Sequence, residues 1–391
     1  MFKIIYPESD ATLYEAVPAT NTGLDEILEI GKRITTSVTS SYSFSRSLLK
    51  FDMNDVSSTL SKYGVGLDDC KFVLQLYTTH AKNLPATYTI NANLVGDDWT
   101  QGTGFLNYVN SKVIDGVTWN APKSGSYFWT SGSQQINVPS GSLSSLYISG
   151  SGKGGSWLYQ SGSGIYSSSF YSQSFYTQPG MELSESFSTR PSDINIDVTG
   201  AVKTWMSGSG GFTIPNYGFL LKFSESDEAD SAVQGFVRFF SRDTHTIYVP
   251  RLTMYFDKSA FATGSLSAID MDSFTTYTKL KKSYKDTEVT KIRLYARDKF
   301  PQKSPTNTFP MTTVKYLPSD TLYSLVDAAT DEVIIPYDNI YTKVSCDSTS
   351  NFIYMDMTGL MPERYYRLEF KIVNSFLEEY INDKFFFKVT R

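Results

Sequence analysis

The sequence is sparing in the residues on which much metal, redox and acid–base chemistry depends. Only two cysteines and two histidines occur among 391 residues. Cys70 and Cys346 stand far apart and neither has a CxxC neighbour, so neither a disulfide framework nor a zinc site is expected. His80 and His245 each sit in a Thr-flanked polar context without a G-x-S-x-G elbow, and both are expected to be surface or loop residues. Charge is scarce as well. Charged residues make up 19% of the chain and the net charge is −5, which gives no electrostatic reason to expect nucleic acid or an anionic membrane as partner. No apolar run reaches about eighteen residues, so no membrane-spanning helix is expected. The opening stretch, residues 1–7, is a short strand broken by Pro7 and lacks the apolar core of a secretory signal. The chain is therefore expected to stay in a cytoplasm or in something assembled there.

What the chain has in plenty is aromatic side chains, at 15%, with 27 Tyr and 26 Phe. Together with Thr, Val and Ile these favour pleated, half-buried surfaces, so an all-β protein is expected. Its length exceeds one ordinary core, and two or three domains follow. The stretch 194–223 organises the first of them. Ile194, Ile196 and Val198 alternate with polar residues as in a half-buried strand, and then the period changes. Val198, Val202, Trp205 and Met206 fall on one side of a helical turn, with Thr199 as its expected N-cap. Residues 207–211 stop that turn, and 218–223 resumes as an apolar strand, with Trp205 and Phe219 expected in the core.

Elsewhere short strands are expected at 2–6, 11–14, 24–30 (ending in a turn at Gly31), 47–53, 71–77 and 88–94, the last two at hairpin distance. A short helix is expected over 54–60, and further strands over 237–240 and 248–256. Such spacing with little helix points to an antiparallel sandwich or jelly roll. Residues 258–286 lack a clear period and read as a linker; strands then recur at 289–296, 333–335, 352–357, 365–373 and 385–389. Between residues 124 and 181 Ser, Gly, Tyr and Phe dominate and Lys153 is the sole charge, which describes a large ordered insertion, about 123–190, better than a disordered linker. Its aromatics, Tyr127, Trp129, Trp157, Tyr159, Tyr166, Tyr171 and Tyr176, are the candidate exposed residues for an interface or a glycan.

Catalytic constellations fail on inspection. The run 150–155 looks like a phosphate loop, but Lys153 is followed by Gly154 and the upstream glycine is missing. Asp97 and Asp98 are adjacent, so on a strand they would point to opposite faces; a loop is expected there. The acidic run 225–230 lacks the calcium-loop spacing and reads as a solvated charge run. The basic run 279–282 falls in the expected linker. No catalytic set, metal or cofactor is expected.

Two resemblances follow. Residues 11–14, 21–23, 46–52, Trp99, 117–122, 197–199 with Trp205, 216–222, Ser241 and 250–252 occur in the order of the DNRLRE-type β-sandwich. That family is a jelly-roll module of bacterial surface proteins also found in phage structural proteins, and the likeness covers roughly residues 1–257 apart from the insertion. The family commonly has Arg-Pro before the last strand, where this chain has Pro250-Arg251. Farther on, Leu360, Pro362 and Tyr366 resemble the tyrosine corner of fibronectin type III and immunoglobulin-like sandwiches, with Tyr366, Leu368 and Phe370 facing the core of a domain over 287–391. The combination implies a jelly-roll sandwich with a Ser/Gly/Tyr-rich insertion, followed by a fibronectin III/Ig-like sandwich. Exported surface proteins of the first kind begin with a signal, whereas virion proteins are assembled in the host cytoplasm. The expected function is thus a non-enzymatic structural component of a tailed-phage virion (tail, neck, baseplate or head decoration). Its expected partners are other virion proteins and copies of itself, with no nucleic acid and no membrane. The alternative is a carbohydrate-binding or adhesion module for a host-surface glycan. A glycan-cleaving tail enzyme ranks third, because no internal repeat of a β-helix is visible.

Overall fold

Alternating runs become strands almost wherever they occur, and the fold is all-β, built from antiparallel sheets of the sandwich type. The computed structural model describes residues 1–36, 41–106, 115–125, 128–135, 146–160, 183–188, 193–206, 214–374, 377–382 and 385–391. The chain divides into two compact units, one of Ile5–Thr253 and one of Met1–Ile4 together with Met254–Arg391.

In the first unit an eight-stranded curled sheet is centred on Ser41–Phe51, which pairs with Pro7–Tyr14, Ile27–Thr36 and Phe219–Phe223. The Ile27–Thr36 strand runs straight through Gly31, where a turn is expected from the sequence. Glycine is required there by close packing: a Cβ would lie 2.7 Å from the Phe236 Cβ on the neighbouring strand. The strands Cys70–Leu76 and Thr87–Leu94 do not form the expected hairpin. Cys70–Leu76 pairs with Ile194–Asp197, while Thr87–Leu94 joins the curled sheet between Phe219–Phe223 and Ser184–Ser188. A hairpin between them is pre-empted by Thr78–Lys82, which follows the first strand directly and pairs with Gly235–Phe240.

Two apolar cores flank the curled sheet, because its strands are buried on both faces. On one face Leu13, Leu48 and Leu220 pack with Val95, Trp99, Val117, Trp119 and Trp129. On the other, Trp205 lies against Phe219 with ring centroids 4.9 Å apart, and Phe219 meets Phe51 edge-on. Trp205 sits on the helix Thr199–Met206, as the change of period indicates. Its cap differs from expectation. The Thr199 hydroxyl accepts the Phe72 amide at 2.8 Å, on a neighbouring strand, and the Asp197 carboxylate takes the Thr199 amide at 3.0 Å. The helix Met53–Tyr63 starts at an Asp52 cap and stops at left-handed Gly64. Within the insertion, Ser131–Gln135, Leu146–Ser151 and Ser156–Gln160 form a three-stranded antiparallel sheet.

The second unit has two sheets. One runs Phe274–Thr278, Val289–Asp298, Asn351–Asp356, Ser345–Cys346; the other is organised on Tyr365–Asn374, flanked by Leu322–Asp327 on one side and by Leu377–Ile381 and Phe386–Thr390 in succession on the other. The stretch expected to be a linker, 258–286, is part of this unit. It holds Phe274–Thr278 and Ser283–Lys285, the latter paired in parallel with Phe386–Thr390. Tyr366, Leu368 and Phe370 are buried while Arg367, Glu369 and Lys371 face outward, and the Tyr366 hydroxyl donates to the Met361 carbonyl at 3.0 Å.

Candidate interaction surfaces

The first core continues into a patch of charge that the fold covers. Arg46 lies two residues before Leu48 and therefore on the same face, and Lys222 stands two residues after Leu220. Both are buried, as is Lys32, and a buried cation demands partners. They come from the acidic run. Ser224 caps a short helix, Glu225–Ala229, by accepting the Asp227 amide, and that helix turns Glu228 inward. Arg46 grips Glu228 with two bonds of 3.0 and 2.8 Å, and Lys222 reaches Glu225 at 2.9 Å and Glu228 at 3.4 Å. Lys32 donates to the Asp230 carbonyl at 2.6 Å, while the Asp227 carboxylate accepts the Thr89 amide at 2.7 Å. Burial alone would raise the Glu228 carboxyl, but Arg46 and Lys222 outweigh it and hold it below the ordinary glutamate range. The expectation of a solvated charge run is therefore corrected: three sheet cations draw these carboxylates and carbonyls inward. Among the described residues no cluster of three Asp, Glu, His or Cys side chains converges in a way that could hold a metal.

The same patch anchors the insertion. Arg46 Nη1 donates to the Gly154 carbonyl at 2.7 Å, and the Gly154 amide donates to the Trp119 carbonyl at 2.6 Å. Gly154 has φ +70° and a Cβ there would strike the Trp119 ring at 2.7 Å, so the glycines that imitate a phosphate loop serve this contact. Trp157 is half-buried over Lys222, whose ammonium is 4.8 Å from its ring centre, and over Arg46 at 5.6 Å. Trp129, proposed from sequence as exposed, is instead buried in the first core, and its indole nitrogen donates to the Thr118 carbonyl at 3.1 Å. The large apolar indole gains more from that core than from solvent. Asp97 and Asp98 diverge as expected of a loop. Asp97 accepts from the Thr130 amide and hydroxyl and from the Ser156 hydroxyl, at 2.7–2.8 Å, while Asp98 pairs with Lys123 at 2.5 Å. Tyr127, Tyr166, Tyr171 and Tyr176 lie outside the described residues, as does the side chain of Tyr159.

Of the remaining titratable groups, His80 is exposed on Thr78–Lys82 near Phe236, and His245 lies 3.5 Å from Glu26 in solvent. Asp10 is buried and accepts the Arg242 amide at 2.7 Å. Desolvation pushes its carboxyl up to about 7; the Arg242 amide opposes this, and Asp243 and Asp25 add to it. Asp25 is raised to about 6, again by burial. The four-residue basic run does not form a free patch: Lys281 pairs with Glu288, and Lys279 lies over the Tyr295 ring.

In the second unit, apolar side chains stand in solvent on one loop. After Val289–Asp298 the chain forms a loop that closes with reciprocal backbone bonds between Ser304 and Asn307, both 3.1 Å, and returns through the turn Pro310–Thr312. Phe300 and Phe309 are 77% and 75% exposed there, and Met311 joins them at 57%. Asn307 binds the Thr313 hydroxyl at 2.8 Å, and Lys315 pairs with Asp298 at 2.6 Å, so the base of the loop is held. Sequence patterning gave no hint of this surface, because the Phe-Pro steps at 300–301 and 309–310 have no period.

No known family profile matches the chain, and no curated protein matches it. Among solved structures it is similar to two crystal structures of Parabacteroides merdae β-glucuronidase. The first, with glycerol in its active site, is 11% identical over 52% of this chain and 23% of that chain, with a TM-score of 0.16. The second is 8% identical over 99% of this chain and 35% of that chain, with a TM-score of 0.21. The chain thus spans about a quarter to a third of the length of these proteins, and likeness at this level carries no inference about fold or activity.

Proposed function

We propose that the chain is a non-enzymatic structural component of a tailed-phage virion that acts through protein–protein interfaces. The observation that carries this reading is the loop bearing Phe300, Phe309 and Met311, three large apolar side chains presented to water on a braced hairpin. Aromatic residues and Met are enriched at interface cores, and large apolar side chains held in water on a braced loop are stabilised when a partner covers them. The ordered DNRLRE-like residues supply the link to a virion. In this reading the aromatic and ionic residues of the first unit are scaffold that fixes the insertion, and the second unit presents the contact.

Mass spectrometry and electron microscopy of purified particles from a phage carrying the gene test the proposal. The chain is expected in the particles at a stoichiometry set by their symmetry. A Phe300→Ser/Phe309→Ser variant with unchanged melting is expected to be left out of them. Particles that lack the chain, or that take up the variant as well as the wild type, overturn the reading.

A further inference from the structure

One sheet of the second unit begins on Phe274–Thr278, which pairs with Val289–Asp298 and has no strand on its other side among the described residues. The pairing fixes which backbone groups face that open side. Thr276 stands opposite Ala296, and the Lys299 amide donates to the Ser273 carbonyl at 3.1 Å. Antiparallel bonds alternate along a strand, so Ser273, Thr275 and Tyr277 direct their backbone groups to Val289–Asp298, whereas Phe274, Thr276 and Thr278 direct theirs outward. The neighbouring strand agrees with this phase, because the Ala296 carbonyl accepts the Lys315 amide at 2.8 Å on its far side. A row of donors and acceptors thus runs along the open edge of Phe274–Thr278.

Open edges invite pairing with another chain, and folds blunt them with charge, proline or shortness. Other edge strands of this unit carry such guards. Leu377–Ile381 bears Glu378 and Glu379, while Val333–Ile335 and Ser283–Lys285 are three residues long. Phe274–Thr278 has neither charge nor proline and consists of Phe, Tyr and Thr, which favour strands. Its exposed Tyr277 is held by stacking on Tyr295, with ring centroids 4.9 Å apart. Charge stands only at the two ends of the strand, with opposite sign. Asp270 and Asp272 precede it and Lys279 and Lys282 follow it, all four exposed.

We propose that this edge pairs with the same edge of a second copy of the chain, antiparallel across a twofold axis at Thr276. The phase of the backbone fits that axis. Thr276 meets its own counterpart and Phe274 meets Thr278, all residues whose groups point outward, which makes about six backbone hydrogen bonds. Tyr277 then lies across from Thr275 of the partner subunit, an aromatic against a β-branched side chain. The lysine end of each copy meets the aspartate end of the other, whereas parallel pairing would set like charge on like. This charge complementarity is what selects a second copy as the occupant. The pairing does not rest on the assembly reading or on the loop that carries it: either can fail alone.

Sedimentation equilibrium of the full chain tests it. A dimer is expected with a Kd of about 10–100 µM, as suits an interface below about 1,200 Å². Thr276→Pro removes an N–H that has no strand partner in the single chain and is expected to weaken the dimer by about tenfold or more. Should that variant fail to fold, the exposed charges read the same contact. Asp270→Lys/Asp272→Lys is expected to weaken the dimer by about fivefold, and adding Lys279→Asp/Lys282→Asp to restore it to within about twofold. Phe300→Ser/Phe309→Ser is expected to leave it unchanged. A chain that stays monomeric up to about 500 µM overturns the proposal and hands the edge to a strand of a different protein. So does a dimer that survives Thr276→Pro and the charge reversal, or one that is lost in Phe300→Ser/Phe309→Ser.

Discussion

Glu228 shows how a single carboxylate can decide the fate of a whole segment. It sits between Arg46 and Lys222, whose side chain is fully buried, and Arg46 in turn holds the Gly154 carbonyl of the insertion. Glu228→Gln leaves two buried cations short of charge, and the loss of one member of a buried pair costs about 3–5 kcal/mol. Urea denaturation is expected to show that loss, and limited proteolysis to show earlier cleavage within 123–160. A variant with wild-type stability would mean that solvent reaches the cations. Glu228 also sets an acid limit. Its folded carboxyl lies below the ordinary value, so the stability it contributes is present above about pH 4.5 and fades as pH falls toward its folded value. Asp10 works in the opposite direction. Its folded carboxyl is raised to about 7, so the folded state holds a proton that the unfolded chain releases near pH 4, and stability drains as pH rises from there through about 7. Asp10→Asn keeps an acceptor for the Arg242 amide and removes the ionisation. It is expected to stabilise the protein by about 1–3 kcal/mol at pH 8 and by much less at pH 5, read from denaturation midpoints at the two values.

At the scale of elements, legibility follows burial. Strands with one wet face, such as Cys70–Leu76 with its strict alternation of buried and half-buried residues, were readable because the pleat writes itself into the sequence. Leu322–Asp327 is illegible in the sequence, although it lies inside its sheet: all six residues are buried, so no alternation remains. Pairing was less visible than strands. Cys70–Leu76 and Thr87–Leu94 are close in sequence yet sit in different sheets, a choice made by long-range partners that no local pattern records. The ion network was hidden for a related reason, since Arg46 lies on a strand far in sequence from Lys222 and Glu228. The Tyr366 corner was legible because all its parts fall within seven residues. It makes a sharp test. Tyr366→Phe removes the bond to the Met361 carbonyl while keeping the ring, and is expected to cost about 1–2 kcal/mol in chemical denaturation. A change below about 0.3 kcal/mol would mean that water takes the place of the hydroxyl.

At the scale of the whole molecule, the division of the chain is not a simple succession. Residues 1–4 belong to the unit formed by 254–391, and Phe2 and Ile4 are buried. Gly359 explains part of the fit: with φ +93° it leaves room for Ile4, whose Cβ would lie 2.8 Å from any Cβ placed there. Deleting residues 1–4 is therefore expected to destabilise the second unit, by about 5–9 kcal/mol from the three buried apolar side chains of Met1, Phe2 and Ile4. The melting of that unit, followed separately by hydrogen exchange, checks this; unchanged exchange over 289–298 and 365–374 would contradict it. A boundary near residue 257 is legible in the sequence, but the pairing of the strand Phe2–Ile5 with a partner at the far end of the first unit is not, because no local pattern records it.

The order of synthesis gives this interleaving a further consequence. Residues 1–4 are synthesised well before their partners, which follow only after Thr253. Until then Phe2 and Ile4 have no place to be buried. The second unit is thus gated in time by the first, and its final step joins segments of very large sequence separation, which slows folding and lengthens the life of an exposed apolar strand. A nascent chain stalled before residue 254 should leave residues 1–4 as an uncovered apolar segment, a state in which chaperone contact there would be most useful.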